Sequence, residues 1–191
     1  MDTRPLLLRL RLRGRVADPA TSETAALVTA GHATTRGDHL ILAPAGRAEA
    51  DRIFRLDGDD AAATRDAYDQ FLPRNVELIQ VCHDWQVRTG GAVNDHRDAT
   101  YDWAVIDRLG VIDDRAGPVV RRLERRVDVF DGYRSRLRDA RRQLEDGGHD
   151  WFTSPRIDSY HTVWMELHEH LLVALGIARG EEAGPTAVAG P

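Results

Sequence analysis

Two histidines occupy positions where a packed helix would carry apolar side chains. Residues 151–175 predict a long helix, capped by Ser154 and closed by Gly176. At about 100° per residue, its Tyr, Trp and Leu side chains form one apolar stripe. His168 lies near the centre of that stripe and His161 on its shoulder. Because imidazole titrates near neutral pH, either side chain could act in acid–base chemistry or bind a ligand.

A second predicted helix, ending near Val87, repeats this anomaly. Its apolar face is marked by Tyr68, Phe71, Leu72, Ile79 and Cys82, with Asn75, His83 and Gln86 on or beside it. Burying a polar group without a partner costs on the order of 1–3 kcal/mol. A polar cavity shared by the two helices would remove that cost, so the sequence predicts a small-molecule pocket between them. The residues expected to line it are Asn75, His83, Gln86, Asp95, His96, Tyr160, His161, Trp164 and His168. The alternative is that these groups are core side chains that hydrogen-bond one another.

The sequence predicts no metal centre, no cofactor and no nucleophile. His161 and His168 are about 10 Å apart along a helix axis, too far to share one ion. A metal would need ligands from several helices, for example His168, His83 and His96. Cys82 adjoins His83, but neighbouring residues on a helix point in different directions. A single cysteine also excludes an intramolecular disulfide.

Composition predicts a cytoplasmic globular chain of one medium domain or two small ones. The 191 residues are 42% hydrophobic, with no 18-residue apolar run and no signal peptide. The net charge of −5 argues against a protein that coats nucleic acid without sequence preference. Its distribution is uneven, because the residues up to Arg55 carry nine Arg against six acids.

Gly, Pro and polar clusters divide the first part of the chain into short elements. Residues 4–13 fit a helix or a strand, and a helix capped by Thr21 or Ser22 runs to Ala30. Residues 32–43 predict a β-hairpin, followed by a helix that begins at Pro44. An acidic segment at 57–60 predicts a domain boundary. After it, 3-4 spacing of apolar residues predicts four longer helices, and residues 180–191 are expected to be disordered.

This order of helix, helix, two-stranded wing and helix resembles the winged helix-turn-helix domain of MarR-like bacterial regulators. The resemblance is carried by residues 27–33 (LVTAGHA) and 42–47 (LAPAGR), the latter similar to the leucine-threonine-proline-x-glycine that follows the wing. Between Arg15 and Thr21 the chain is too short for the helix and tight turn that usually precede a recognition helix. The remaining candidate for that helix carries Glu23 and no Arg, whereas recognition helices bring Arg, Asn or Gln to base edges.

A second resemblance covers the rest of the chain. Residues 81–86 (VCHDWQ), 94–98 (NDHRD) and 158–169 (DSYHTVWMELHE) are similar to a helical domain that follows the winged helix in actinobacterial proteins labelled MarR-like regulators. The resemblance implies a family and supplies no catalytic residues.

The sequence therefore predicts a mainly α protein with a reduced winged-helix domain at 1–57 and a four-helix, ligand-binding domain at 61–178. Its expected function is small-molecule-responsive regulation, with DNA contacted by Arg9, Arg11, Arg13, Arg15 and Arg36. The candidate partners are a small molecule, DNA and a second copy of the chain in a homodimer. No membrane association is expected. The alternative is a metabolic or biosynthetic enzyme, or an accessory binding protein, that lost DNA binding and uses His161 and His168 for acid–base chemistry.

Overall fold

The computed structural model describes residues 2–181, which are mainly helical with one small antiparallel sheet. Residues 182–191, most of the tail predicted to be disordered, lie outside the described residues. The helices are α1 (Arg4–Arg13), α2 (Ser22–Thr29), α3 (Pro44–Ile53), α4 (Gly58–Gln86), α5 (Ala99–Glu124), α6 (Tyr133–Glu145), α7 (Asp150–Thr153) and α8 (Tyr160–Leu175), with a 3-10 helix at Asp128–Phe130. The strands are β1 (Arg15–Ala17), β2 (Ala33–Arg36) and β3 (His39–Leu42).

The described chain divides into two compact units. The first comprises residues 2–57 and 168–181, and the second comprises residues 58–167. Helix α8 contributes to both, with residues up to Leu167 in the second unit and residues from His168 in the first. In the part of the chain that is described, no helix combines the length and low polarity needed to span a membrane.

In the first unit a sheet of strand order β1-β3-β2 packs with α1, α2 and α3. The hairpin predicted at 32–43 is confirmed, since β2 pairs antiparallel with β3. Strand β1 was not predicted, because three residues are too few to show an alternating pattern. It pairs antiparallel with the other side of β3. The core of this unit consists of Leu7, Leu10, Val16, Leu27, Ala33, Leu40 and Ala50.

The glycine of the LAPAGR motif has a steric role. A Cβ on Gly46 would lie 2.0 Å from the carbonyl oxygen of His32. Helix α3 therefore crosses the chain entering β2 so closely that only glycine fits without a backbone shift. The motif fixes α3 against the start of the hairpin.

The core face of α4 differs from the predicted one. Ile79, placed in the predicted stripe, is 53% exposed, whereas its neighbour Leu78 is 1% exposed. The true stripe continues from Leu78 through Val81 to Trp85, which is buried. Tyr68, Phe71 and Cys82 of the predicted stripe are buried, so the prediction is wrong at Ile79, which lies one residue, about 100°, around the helix from Leu78. The helix also runs through Pro73 without ending there.

Helix α5 begins at Ala99, where the side chain of the preceding Asp98 accepts a hydrogen bond from the Tyr101 N–H at 3.1 Å. The predicted start of the last helix at Ser154 is wrong. Helix α7 ends at Thr153, and α8 begins only at Tyr160. The Ser159 hydroxyl accepts from the Thr162 N–H at 3.3 Å, so Ser159 caps this helix instead.

Candidate functional site

Three titratable side chains from separate elements converge in the second unit. His96 lies in the loop between α4 and α5, Asp102 in the first turn of α5, and His149 immediately before α7. Their imidazole nitrogens and carboxylate oxygen all lie within 4.8 Å of one another. We refer to these three residues as the His96–Asp102–His149 cluster.

The carboxylate of Asp102 is 3% exposed and is held by the loop that precedes α5. Asn94 Nδ2 donates to Asp102 Oδ1 at 2.8 Å and to the Trp85 carbonyl oxygen at 3.1 Å. His96 Nδ1 lies 3.1 Å from Asp102 Oδ2 and 3.2 Å from Oδ1. Because burial penalises an unpaired carboxylate, these partners are what allow Asp102 to remain in the interior.

Aromatic contacts hold both imidazole rings of the cluster. The ring centroids of Trp85 and His96 are 4.4 Å apart, and those of Trp85 and His149 are 5.5 Å apart in an edge-on arrangement. The two imidazole centroids are separated by 5.2 Å. The buried indole of Trp85 is therefore a common wall for both histidines.

The cluster borders a small cavity of about 110 Å³. Apolar side chains supply its other walls, namely Ala99, Trp103, Ile106 and Leu144. Organic ligands usually occupy cavities of about 300–1,000 Å³, whereas a single water needs only about 10–15 Å³. The cavity suits an ion with a few waters and is too small for a drug-sized molecule.

Three of the nine predicted pocket residues, Asn75, Tyr160 and Trp164, lie together, and their polar groups are hydrogen-bonded within the protein. Trp164 Nε1 donates to Asn75 Oδ1 at 2.9 Å, and the Tyr160 and Trp164 rings stack with centroids 6.0 Å apart. The Tyr160 hydroxyl donates to Asp113 Oδ1 at 3.0 Å. Burial and the Asp113 carboxylate raise the pKa of Tyr160 well above its ordinary value, so the hydroxyl remains a donor. These residues follow the alternative of hydrogen-bonded core side chains.

Asp113 is the centre of this buried network. Arg134 Nη1 and Nη2 donate to its two oxygens at 2.7 and 3.0 Å, and Arg141 Nη1 donates to Oδ2 at 3.1 Å. Two guanidinium groups and one hydroxyl thus compensate a carboxylate that is 1% exposed. The donors that surround Asp113 therefore all belong to the protein itself.

The remaining predicted pocket residues do not join these three. His83 and Gln86 are exposed, and the prediction that they face the core is wrong for the same reason that Ile79 is exposed. Asp95 is exposed and accepts from the Arg97 N–H at 3.2 Å. His161 is partly buried, and burial lowers its pKa.

His168 is buried and belongs to the first unit. It is the neighbour of Glu169, whose Oε1 accepts from Arg11 Nη1 at 2.5 Å. Arg11 Nε also donates to Asp51 Oδ1 at 2.6 Å. The prediction that Arg11 contacts DNA is therefore wrong, because its guanidinium is buried between two carboxylates. Of the other predicted DNA contacts, Arg13 is partly buried, and Arg9, Arg15 and Arg36 are exposed.

Two members of the cluster were not predicted from the sequence. These two residues are Asp102 and His149. The polar loop at 94–98, followed at once by an N-capped helix with Asp102 in its first turn, was the available signal. His149 is distant in sequence and gave none.

Comparison of the chain with protein-family models, with curated proteins and with solved structures found no match.

Proposed function

We propose that the chain is a cytoplasmic DNA-binding regulatory protein of the MarR-like class, which contacts the duplex through its three-stranded sheet. The observation that carries this proposal is the bracing of the β2–β3 hairpin by β1. An isolated two-stranded hairpin is marginally stable in water, and a third strand gives it the rigidity that a DNA-contacting wing needs.

The register places basic side chains on one face of this sheet. Arg36 pairs with His39, which in turn pairs with Ala17, and Arg15 pairs with Ile41. Directly paired residues point to the same face of a sheet, and successive pairs point to opposite faces. The pair Val16–Leu40 lies between the Arg15 and Arg36 rows and points into the core. Arg15 and Arg36 therefore both point away from the core, at Cα positions about 12 Å apart from strand spacing and rise.

The charge of the surrounding chain supports the same face. The residues up to Arg55 carry a net charge of +3, whereas those from Leu56 on carry −8. Asp38, in the hairpin turn, reduces the positive charge locally, and its Oδ1 lies 2.7 Å from His39 Nδ1. Phosphate contact through this sheet face would be electrostatic and without base reading.

A specific observation favours a second candidate, an accessory or biosynthetic protein that does not bind DNA. Helix α2 occupies the position expected for a recognition helix, and its only charged residue is Glu23. A helix without basic residues has no means of neutralising phosphate. In such a protein the three-stranded sheet would have a structural role only and would not contact DNA.

The ligand-responsive part of the proposed function would reside in the helical unit. The organic-ligand pocket predicted there receives no support from Asn75, Tyr160 and Trp164, which pair with one another or with Asp113. Support for the proposal therefore comes from the first unit.

The experiment is a salt titration of binding to duplex DNA by the full chain and by the double variant Arg15→Ala/Arg36→Ala. If both side chains contact phosphates, the slope of log K against log salt should fall in magnitude by about 2, since each contact contributes about 0.9. The matched control is Arg138→Ala/Arg142→Ala, which removes two exposed arginines from α6 and should leave the slope unchanged.

Absence of binding at micromolar protein and low salt would favour the accessory-protein candidate. An equal loss of slope in both double variants would show that net charge, and not the sheet face, determines binding.

A further inference from the structure

The His96–Asp102–His149 cluster contains the ligand types that divalent transition metals prefer. Imidazole nitrogen suits zinc, copper, iron and nickel, and two histidines with one carboxylate leave coordination positions open. The three side chains come from separate segments of the second unit. Nothing in the sequence spacing requires them to meet, so their convergence comes from the fold.

We propose that this cluster binds one divalent transition-metal ion, with His96, Asp102 and His149 as its protein ligands. In a tetrahedral site with bonds of about 2.0–2.1 Å, donor atoms are separated by about 3.3 Å. The 3.1 Å between His96 Nδ1 and Asp102 Oδ2 already matches this separation. His149 is exposed and lies within 4.8 Å, so a small rotation of its side chain brings it into range.

The surroundings of Asp102 are those of a supported metal ligand. Asn94 Nδ2 donates to Oδ1 and also lies 3.2 Å from His96 Nδ1, whereas Oδ2 faces that same imidazole nitrogen at 3.1 Å. An ion bound between Oδ2 and Nδ1 would replace this direct contact. Asn94 is itself anchored, because Nδ2 also donates to the Trp85 carbonyl and its N–H donates to the Gln86 carbonyl at 2.8 Å. Partners of this kind orient carboxylate ligands in metal sites.

The backbone at His96 is an independent indication. His96 has a φ of 57°, in the left-handed region that non-glycine residues seldom adopt. Strain at such a position persists only where the surrounding structure enforces it, and it is concentrated at functional sites. This conformation directs the His96 ring toward Asp102 and Trp85.

The size of the adjoining cavity suits the same proposal. About 110 Å³ accommodates an ion and its remaining water ligands, but not an organic molecule. Two histidines and one carboxylate leave at least one position of a four-coordinate ion for water.

Elsewhere the second unit offers weaker competition for the metal. The pKa of the Cys82 thiol is raised to about 12 by burial, so Cys82 does not supply a thiolate at neutral pH. His83 Nδ1 lies 3.5 Å from Asp84 Oδ1 on the surface of α4, which provides one His and one Asp. Within the described residues, no third histidine, cysteine or acid joins that pair at metal-binding distance. His83 is therefore a matched control.

The test is calorimetric titration of the tag-free, chelator-treated full chain with ZnCl2, together with visible absorption after addition of Co²⁺. We expect one high-affinity Zn²⁺ per chain and the intense visible bands of four-coordinate Co²⁺. The variants His149→Ala and Asp102→Asn should each weaken Zn²⁺ binding by about tenfold or more, and a tenfold loss corresponds to about 1.4 kcal/mol. His83→Ala should bind like the unsubstituted chain.

Because Asp102 is buried, circular dichroism and thermal melting of each apo variant accompany the titrations. The exposed His149 provides a variant that keeps the fold if Asp102→Asn does not. Absence of stoichiometric Zn²⁺ binding would overturn the proposal, as would binding that His149→Ala leaves intact. Neither result depends on DNA binding, because all three ligands lie in the second unit.

Discussion

Two buried aspartates of the second unit, Asp113 and Asp102, are surrounded in different ways. Asp113 is enclosed by two guanidinium groups and the Tyr160 hydroxyl, all donating to it. Asp102 receives an amide N–H from Asn94 and faces an imidazole, and it borders a cavity. One carboxylate is paired with two arginines, and the other lines a small cavity beside two histidines.

The difference shows why buried polar residues do not by themselves identify a site. A carboxylate that fixed cations already neutralise has no remaining affinity for an added cation. A carboxylate without an arginine or lysine partner keeps its charge available to one. The useful criterion is therefore the direction and charge of the partners, not the number of polar residues on a helix face.

The largest expected effect is that of Asp113→Ala. Its removal leaves Arg134, Arg141 and the Tyr160 hydroxyl without their shared acceptor, and breaking a buried ion pair typically costs 3–5 kcal/mol. Both guanidinium groups are partly exposed, so water can recover some of this loss and we expect about 3 kcal/mol. Urea denaturation at neutral pH measures the change in the free energy of unfolding.

Asp114→Ala is the control for Asp113→Ala. Asp114 also pairs with Arg141 Nη1, at 2.8 Å, but it is exposed, and we expect a change of less than about 1 kcal/mol. Equal losses from the two variants would contradict the contrast between a buried network and a surface ion pair.

A smaller effect is expected for Asn75→Leu, which tests whether the Asn75–Trp164 contact is structural. The substitution leaves the Trp164 N–H without its acceptor in a buried environment and should destabilise the chain by about 1–3 kcal/mol. A stability equal to or above that of the unsubstituted chain would instead indicate a pocket in which the amide costs free energy. Asn75→Asp is the informative comparison, because it keeps an acceptor oxygen at the same position.

Local sequence patterns predicted most helices and the hairpin correctly. The Thr21 cap and the Pro44 start are short-range signals, and the structure has a helix beginning beside each of them. The start of α8 was misplaced because Ser154 and Ser159 are equally good caps in sequence. In the structure the short helix α7 ends at Thr153, just before Ser154, so the long helix begins only after Ser159.

The candidate site could not be predicted in the same way, for two physical reasons. First, the choice between Leu78 and Ile79 as a core residue depends on tertiary packing, and that choice decides whether His83 and Gln86 are buried. Second, His149 meets His96 and Asp102 only through the folding of the second unit. No periodicity connects residues that are joined by tertiary structure alone.

The smallest effect concerns His161, which lies outside both aspartate environments. Burial lowers its pKa in the folded chain, whereas in the unfolded chain it should titrate near the ordinary value of about 6.5. A lowered folded pKa means that the unfolded state binds more protons between these two values. The contribution of His161 to stability is therefore fully present above pH about 6.5 and is lost as pH falls through the folded pKa.

We expect its imidazole proton resonance to titrate with a lower midpoint in the native chain than in urea, with His161→Asn identifying the peak. The same variant should lose less stability on acidification than the unsubstituted chain. A native midpoint at or above the unfolded one would contradict the expected effect of burial on His161.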